Sequence, residues 1–431
     1  MKRFSLSMTA LSPLAIRSDQ AEGGVATTHS IPGATLLGSL AAAHLMLRPK
    51  NQDEFARFFL SEQVYFPHLY PASFKQNRFQ RSNQPVLPLP RTAQTCKRFS
   101  GFLPLPHEEN VDERHGVRDT LLDWGAFALL EHTQAAIPTL LTPFHEHEEC
   151  TYKQGKYNNA PCGQTMDHIG GYYIRDRRER YLRGMADTNT RLQTRTGINR
   201  EWGIMEERIL YNREVFDEQT RFWGEVLLPD ELAQDFKSFV EMADVENPKY
   251  ENVVRLGTGR TRGLGRVSLK LEDVLVSKPT DFIDKLRRFD DAMQQQALTF
   301  GIQQRAPFYF ALTLQAPTIL CDSFLRYQKT VDADTLPALL GLPSSYSFER
   351  VYQSVGTQRV TGWNELWGTP RSHDYALEMG STFLFACKQK PDDDFIQALR
   401  TTEEQGIGRR RAEGFGRLSF SDPFHLEREQ A

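Results

Sequence analysis

The sequence predicts an α+β protein made of two tandem βαββαβ units, the first enlarged by a long insertion. Three observations carry this expectation. Two segments repeat one another: 257–268 reads GTGRTRGLGRVS and 406–419 reads GIGRRRAEGFGRLS, the second with two extra residues before its Gly-Phe-Gly. Each leads into an alternating strand, Val267, Leu269, Leu271 in one copy and Leu418, Phe420 in the other. Upstream of each lies a comparable opening strand, FSLSMTALSPLAI from Phe4 and FYFALTLQAPTIL from Phe308, with Thr9 to Pro13 and Thr313 to Pro317 in the same spacing.

A compact unit of this kind needs about 100 residues. The span 306–431 fits that size, whereas 1–275 must hold an insertion, placed at about 74–170. Taken in order, the N-terminal run alternates and soon meets Arg17 and Asp19, so it reads as a strand and not a signal peptide. The Pro32-Gly33 turn precedes an Ala/Leu-rich run from Ala34 that reads as a buried helix. The stretch from Asp281 places Phe282, Leu286, Phe289 and Met293 on one face and predicts a linker helix within 276–305. Runs around Cys321 (TILCDSF) and Cys387 (TFLFACK) read as strands with buried thiols. Strands flanking helices, with strands at both ends of each unit, suggest a ferredoxin-like arrangement.

Composition sets outer limits. Hydrophobic residues are 39%, charged residues 25% and aromatics 11%, which excludes wholesale disorder. A net charge of -3 excludes a uniformly basic coat protein but not local basic surfaces. No apolar run is long enough to span a bilayer. Five cysteines, an odd and sparse set, suit a reducing cytoplasmic setting better than a disulfide scaffold.

The charge is uneven. Lys75, Arg78, Arg81, Arg91, Lys97 and Arg98 occur with no acid among them, whereas 107–149 holds ten acids and two arginines. Ten arginines lie in 175–213 beside Tyr172, Tyr173, Tyr181, Trp202 and Tyr211, and guanidinium with aromatic neighbours suits phosphate forks and base stacking. A solvated face with local ion pairs such as Asp176 or Glu179 is the plainer account of that stretch. The glycine-rich loops shift the balance. Glycine permits positive φ and close approach of backbone N–H groups to an anion, and loop arginines add bidentate donors. Neither loop is a P-loop or a dinucleotide loop, and two arginine-bearing copies argue for polyanion binding over simple turns.

These closing loops, the opening strands and IPGATLLGSLAAA resemble the RAMP superfamily of CRISPR effector subunits. The interior stretches TRTGINREWGIMEERILYNREVF and RVTGWNELWGTPRSHDYALEMGSTFLFA, with TCKRF and HGVRDTLLDW, resemble the Cas-five-like Csx-ten family of type III-D complexes. The likeness runs over nearly the whole chain. It implies tandem RRM/ferredoxin-like RAMP domains and a subunit holding the 5′ repeat-derived tag of crRNA. Its implied partners are the large subunit and the backbone RAMP subunits, with target RNA contacted indirectly. The RNA-binding positions it implies are Pro32, Gly33, Gly257, Gly259, Arg260, Arg262, Gly263, Gly265, Gly406, Gly408, Arg409, Arg410, Arg411, Gly414 and Gly416. Arg195, Asn199 and Arg200 join them. A single-stranded tag is held through phosphates, sugar hydroxyls and splayed bases.

Cys96, His115, Cys150 and Cys162 all fall in the insertion and form a candidate Cys₃His structural zinc site, with His145, His147 and His168 as rival ligands. The spacing lacks C-x₂-C, and three unrelated thiols are the alternative. Such a metal would order a loop-rich segment without making an enzyme. For catalysis, His29 and His44 flank the first helix, where processing endoribonucleases of the RAMP group place acid/base groups, and Asp19 is a formal candidate for target cleavage. No Ser/His/Asp set, HD pair or GGDD-like motif is visible. The expectation is a non-catalytic RNA-binding subunit. The alternatives are a metal-independent endoribonuclease that processes CRISPR RNA and a protein-only interaction module.

Overall fold

The computed structural model describes residues 1–16, 27–72, 85–103, 113–132, 149–153, 161–175, 182–183, 189–198, 205–244, 254–274, 279–364 and 368–427. The first unit opens with β1 (Lys2–Ala10), whose Phe4, Leu6, Met8 and Ala10 alternate into the core. Next come α1 (Gly33–Leu47), α2 (Gln52–Phe59) and the two-residue β2 (Tyr70–Pro71). Then β3 (Val86–Pro88), β4 (Ala93–Cys96), β5 (Val117–Asp119), α3 (Leu121–His132) and β6 (Met166–His168) fall in the segment read as an insertion, and β7 (Tyr172–Arg175) and β8 (Leu182–Arg183) follow it. A long ribbon, β9 (Thr190–Ile198) and β10 (Met205–Phe216), leads into β11 (Arg221–Leu228), α4 (Asp230–Ala243) and β12 (Val267–Asp273). The helix α5 (Pro279–Thr299) leads into the second unit.

That unit contains β13 (Phe308–Leu314), α6 (Leu336–Leu339), β14 (Phe348–Ser354), the short ribbons β15 (Thr357–Val360), β16 (Trp363–Asn364), β17 (Thr369–Pro370) and β18 (Asp374–Leu377), then β19 (Thr382–Cys387), α7 (Asp393–Gln405) and β20 (Leu418–Phe420). The main sheets are β12-β1-β11-β2 and β14-β19-β13-β20, and every pairing in them is antiparallel. Numbered within its own unit, each sheet runs fourth, first, third, second. The registers correspond too: Thr9 faces Arg221 and Thr313 faces Thr382. Both units also send out a β-ribbon between their second and third strands, and equivalent isolated bridges, Leu14 to Phe216 and Thr318 to Leu377, hold the ribbon bases.

Local chemistry explains the helices. In α4, Leu232, Phe236, Phe239, Val240 and Ala243 form one buried stripe, and Asp230 and Glu231 sit at the positive end of the helix dipole. The Asp392 carboxylate caps α7 by accepting from Phe395 N–H at 2.9 Å. Only the four-residue α6 lies between β13 and β14, so the first helix of the second unit is far shorter than the pattern predicts.

β13 is buried along its whole length because both faces of its sheet are covered. Phe308, Phe310, Leu312 and Leu314 pack toward Phe395 and Leu399 of α7. Tyr309 and Ala311 pack toward Phe289 and Met293 of α5 and Leu121, Leu122 and Ala126 of α3. The inserted segment therefore supplies part of the second unit's core. Cys387 is buried as expected, whereas Cys321 is half-buried because it closes a turn with Tyr327 at the surface.

Candidate functional site

The two glycine-rich loops occupy equivalent corners of the two sheets. In the first, Gly265 N–H donates to Pro13 at 3.0 Å, Thr258 N–H to Ala15 at 2.9 Å and Leu256 N–H to the Gly265 carbonyl at 2.9 Å. In the second, Gly416 N–H donates to Pro317, Arg409 N–H to Ile319 and Ile407 N–H to the Gly416 carbonyl, each at 2.9 Å. This pairing fixes the structural register. Gly257, Gly259, Gly263 and Gly265 have φ of 76°, 76°, 80° and 83°; their counterparts Gly408, Arg410, Gly414 and Gly416 have 78°, 58°, 93° and 78°. The loops are thus equal in length, and the expected two-residue extension is absent. Gly406 is not the partner of Gly257; it ends α7, its N–H donating to Thr402 at 2.8 Å. Arg410 stands in the left-handed conformation that glycine takes in the other copy, which hid the alignment.

The glycines serve the chain's own packing. A Cβ at Gly265 or Gly416 would run into the carbonyl oxygen of Leu256 or Ile407, and one at Gly257 or Gly408 into that of Ala15 or Ile319. The close approach is therefore of backbone to backbone, and anion binding at this corner falls to side chains. Around the first loop, Arg262 and Arg266 are exposed and Arg260 is partly exposed. Arg255 donates to the Arg260 carbonyl at 2.7 Å, and the Arg213 guanidinium, from the base of the long ribbon, lies against Gly259. Five arginines thus gather where loop and ribbon meet. Sequence reasoning named Arg260 and Arg262 but missed three members as individuals: Arg255 and Arg266, which pair across the base of the loop, and Arg213, which only the ribbon brings there.

The second loop is placed differently. It is docked on the first unit: Phe66 N–H donates to the Ala412 carbonyl at 3.0 Å, and Gly33 is packed beneath the Glu413 carbonyl. Arg410 pairs with Asp374 at 2.8 Å and Glu413 at 2.7 Å and lies over the Phe415 ring. Arg411 lies over Tyr65, and Arg417 reaches Glu225 at 3.6 Å. Arg409 alone of these four is exposed. Pro32 caps α1, and Gly33, Gly414 and Gly416 are buried at or near this joint. Arg195 is on the ribbon, bonded to Gln193 at 3.1 Å. Asn199 and Arg200 lie outside the described residues.

A second candidate centre is in the insertion. Cys96 ends β4, His115 precedes β5 beside it, and Cys150 and Cys162 face each other across a short hairpin through Cys162 N–H to Tyr152 and Gly163 N–H to Cys150. The four ligand atoms lie within 4.8 Å of one another. Tetrahedral zinc bonded to sulfur at about 2.3 Å sets its donors roughly 3.8 Å apart, so this set fits with small adjustment. His115 Nδ1 is 3.3 Å from Cys150 Sγ, and its Nε2 is 3.2 Å from the Glu113 carboxylate. Glu113 thereby fixes the tautomer that leaves Nδ1 to the metal. Phe99 and Tyr152 flank the imidazole with centroids at 4.3 Å. Burial, with Cys96 adjacent, pushes the Cys150 thiol up to about 12, as expected of crowded thiols that a cation would relieve. Of the rival ligands, His168 is exposed on β6, outside the cluster, and His145 and His147 lie outside the described residues.

The catalytic candidates fare plainly. His44 is fully buried among Phe55, Phe58, Phe59 and Phe239, with Nε2 3.2 Å from Glu54. His29 is exposed, and Asp19 lies outside the described residues. A Thr–His–Asp file does occur: Thr313 Oγ1 is 2.7 Å from His425 Nε2, and His425 Nδ1 is 3.1 Å from Asp119. All three residues are at most 2% exposed, so no substrate reaches the hydroxyl. The file joins the insertion to the second unit, and Thr92 completes it by donating to Asp119 at 2.6 Å.

Neither a family model nor a curated protein matches the chain. Among solved structures, a chain of the type III-B Cmr-beta cryo-EM structure bound to cognate target RNA is 11% identical, with a TM-score of 0.36; the match covers 88% of this chain and 86% of that one. A chain of the structure with cognate target RNA and AMPPnP, state 1, is 12% identical over the same shares, with a TM-score of 0.34. A chain of the apo-state structure is 13% identical, with a TM-score of 0.29, covering 63% of this chain and 97% of that one. At these values the likeness assigns the chain neither family nor function.

Proposed function

We propose that this chain is a non-catalytic crRNA-binding subunit of a type III CRISPR effector complex. At finer grain we read it as the Cas-five-like Csx-ten subunit of a type III-D assembly in the cytoplasm, holding the 5′ repeat-derived tag and bridging the large subunit and backbone subunits. The reading takes the two sheets as tandem ferredoxin-like domains, in keeping with their shared strand order. It draws on the resemblance of the sequence motifs to that family. The observation that carries it is the arginine cluster at the first glycine-rich loop: Arg213, Arg255, Arg260, Arg262 and Arg266 converge where a β-ribbon leaves the sheet.

Such a cluster binds a phosphodiester chain by releasing its counterions and adds fork-shaped donors to phosphate oxygens. In the second loop Arg410 and Arg417 are partly buried and engaged by carboxylates of the protein, which leaves Arg409 as its exposed arginine. Zinc in the Cys96, His115, Cys150, Cys162 set would hold the insertion together structurally, with four protein ligands closing its coordination.

The test is salt-dependent binding of repeat-tag RNA. Replacing Arg260 or Arg262 by alanine is expected to weaken binding and to lower the salt slope by about one each. Arg410→Ala is expected to leave that slope unchanged. Variants at 260 and 262 that bind like the parent at several salt concentrations would end this reading. Incubation with repeat RNA in EDTA is expected to return intact RNA; cleavage would replace the scaffold with the endoribonuclease.

A further inference from the structure

We propose that an exposed aromatic cluster on the second unit, Phe324, Tyr327 and Tyr375 together with Arg326, Arg359 and Arg409, is a stacking surface for single-stranded RNA. The proposal rests on the RNA-binding reading above, and its test separates the two. In a chain whose rings mostly fill cores, Phe324 is 79% exposed, Leu325 66% and Tyr375 52%.

The turn that carries Phe324 and Tyr327 is held in place. The Asp322 carboxylate accepts from Phe324 N–H and Arg326 N–H, each at 2.9 Å, and from the Arg326 guanidinium at 2.7 Å. Cys321 and Tyr327 pair across the turn. Leu325 at its tip has φ of 62°, a conformation that side-chain-bearing residues disfavour, and such strain recurs at working surfaces. The Tyr327 hydroxyl donates to Asp374 at 2.8 Å, and its ring meets Tyr375 edge to face at 5.6 Å. A tyrosine pair fixed this way, beside a turn whose backbone is set, loses little freedom when a base settles on it.

The charge around them is cationic and open. Arg326 lies over the Phe324 ring at 5.4 Å. Arg359 stands opposite Tyr375 in the β15–β18 register and bonds to His373 at 2.6 Å. Arg409 is exposed, 4.0 Å from Cys321 Sγ, and has no carboxylate partner among the described residues. The acids present, Asp322 and Asp374, are already engaged by Arg326, Tyr327 and Arg410. Flat rings interleaved with guanidiniums match alternating bases and phosphates. A protein occupant would need its own carboxylates for Arg359 and Arg409. The cluster also shares its support with the second glycine-rich loop, since the segment through Pro317 and Ile319 anchors that loop and runs on into the turn.

The experiment uses the full chain and a fluorescent single-stranded RNA of about ten nucleotides, within the reach of such platforms. Two double variants are compared with the parent: Phe324→Ala with Tyr375→Ala, and Phe324→Tyr with Tyr375→Phe. Both sites are exposed, so thermal unfolding should match the parent and serves as the folding control. The alanine pair is expected to bind about ten-fold or more weakly at every salt concentration with an unchanged salt slope, because stacking is lost and no phosphate contact is. The ring-preserving pair is expected to bind like the parent. If the parent binds and the alanine pair binds equally well, the stacking surface is overturned while the RNA-binding reading stands. If the parent binds no single-stranded RNA, both fall. Unchanged RNA binding combined with loss of co-purifying subunits also overturns the proposal and makes the cluster a protein interface.

Discussion

Lowering the pH should loosen the joint between the second glycine-rich loop and the first unit, and His68 is the reason. Its ring is buried edge-on against Phe415, with centroids 5.1 Å apart, and its Nε2 has no hydrogen-bond partner among the described residues. Burial first, and then the nearby Arg410 charge, lower its pKa from 6.5 to about 4, with Glu413 working the other way. The folded chain thus keeps His68 neutral where the unfolded chain already takes up a proton. The stability tied to this neutral ring is fully present above pH 6.5 and is lost as pH falls toward 4. At about 1.4 kcal/mol per pH unit, the loss amounts to about 3 kcal/mol. Urea unfolding at a series of pH values, for the parent and for His68→Phe, isolates it, because carboxylates that titrate in the same range act in both proteins. The parent should lose about 3 kcal/mol more than the variant between pH 6.5 and 4. Parallel curves would show that His68 is solvated or charged in the folded protein, and the account of the joint would be wrong.

Three further outcomes are expected. Zinc should co-purify at one ion per chain and be lost in Cys150→Ser, as read by metal analysis. The metal-free protein should lose stability as pH rises above 9, where the unfolded thiol ionises and the buried Cys150, pushed up to about 12, does not; the zinc-bound protein should show no such limb. Gly416→Ala and Gly263→Ala place alanine at nearly the same φ, 78° and 80°, but only the former meets a backbone carbonyl, while the latter has open space. Gly263→Ala should cost about 1 kcal/mol and Gly416→Ala about 3 kcal/mol or more in unfolding free energy. Equal costs would mean that the loop relaxes around the added methyl.

The repeat was legible because positive φ leaves glycine behind in the sequence. It was misaligned where Arg410 accepts that conformation, since an arginine carries no such mark. Opening strands showed themselves through alternation, but the second strand of the first sheet is only Tyr70 and Pro71, too short to leave a pattern. The four metal ligands stood out because cysteine is scarce, although their convergence depends on strand pairings between β4, β5 and β6 that spacing does not encode. The arginines read alike in both loops. That Arg262 is exposed while Arg410 is half-buried against Asp374 follows from how the units dock, which is a property of surfaces distant in sequence. Phe324 escaped notice because TILCDSF looks like a strand, and the Asp322 turn that pushes it outward is a matter of hydrogen bonds.

The helix that begins at Leu121 is threaded through the first unit by chain connectivity, yet its apolar side rests on Tyr309, Val351 and Leu384. Cutting the segment out to leave a minimal first unit would strip one wall from the far half of the molecule. Neither half is therefore a module to be transplanted alone, and a newly made chain must wait for its last third to emerge before residues laid down much earlier find their seat.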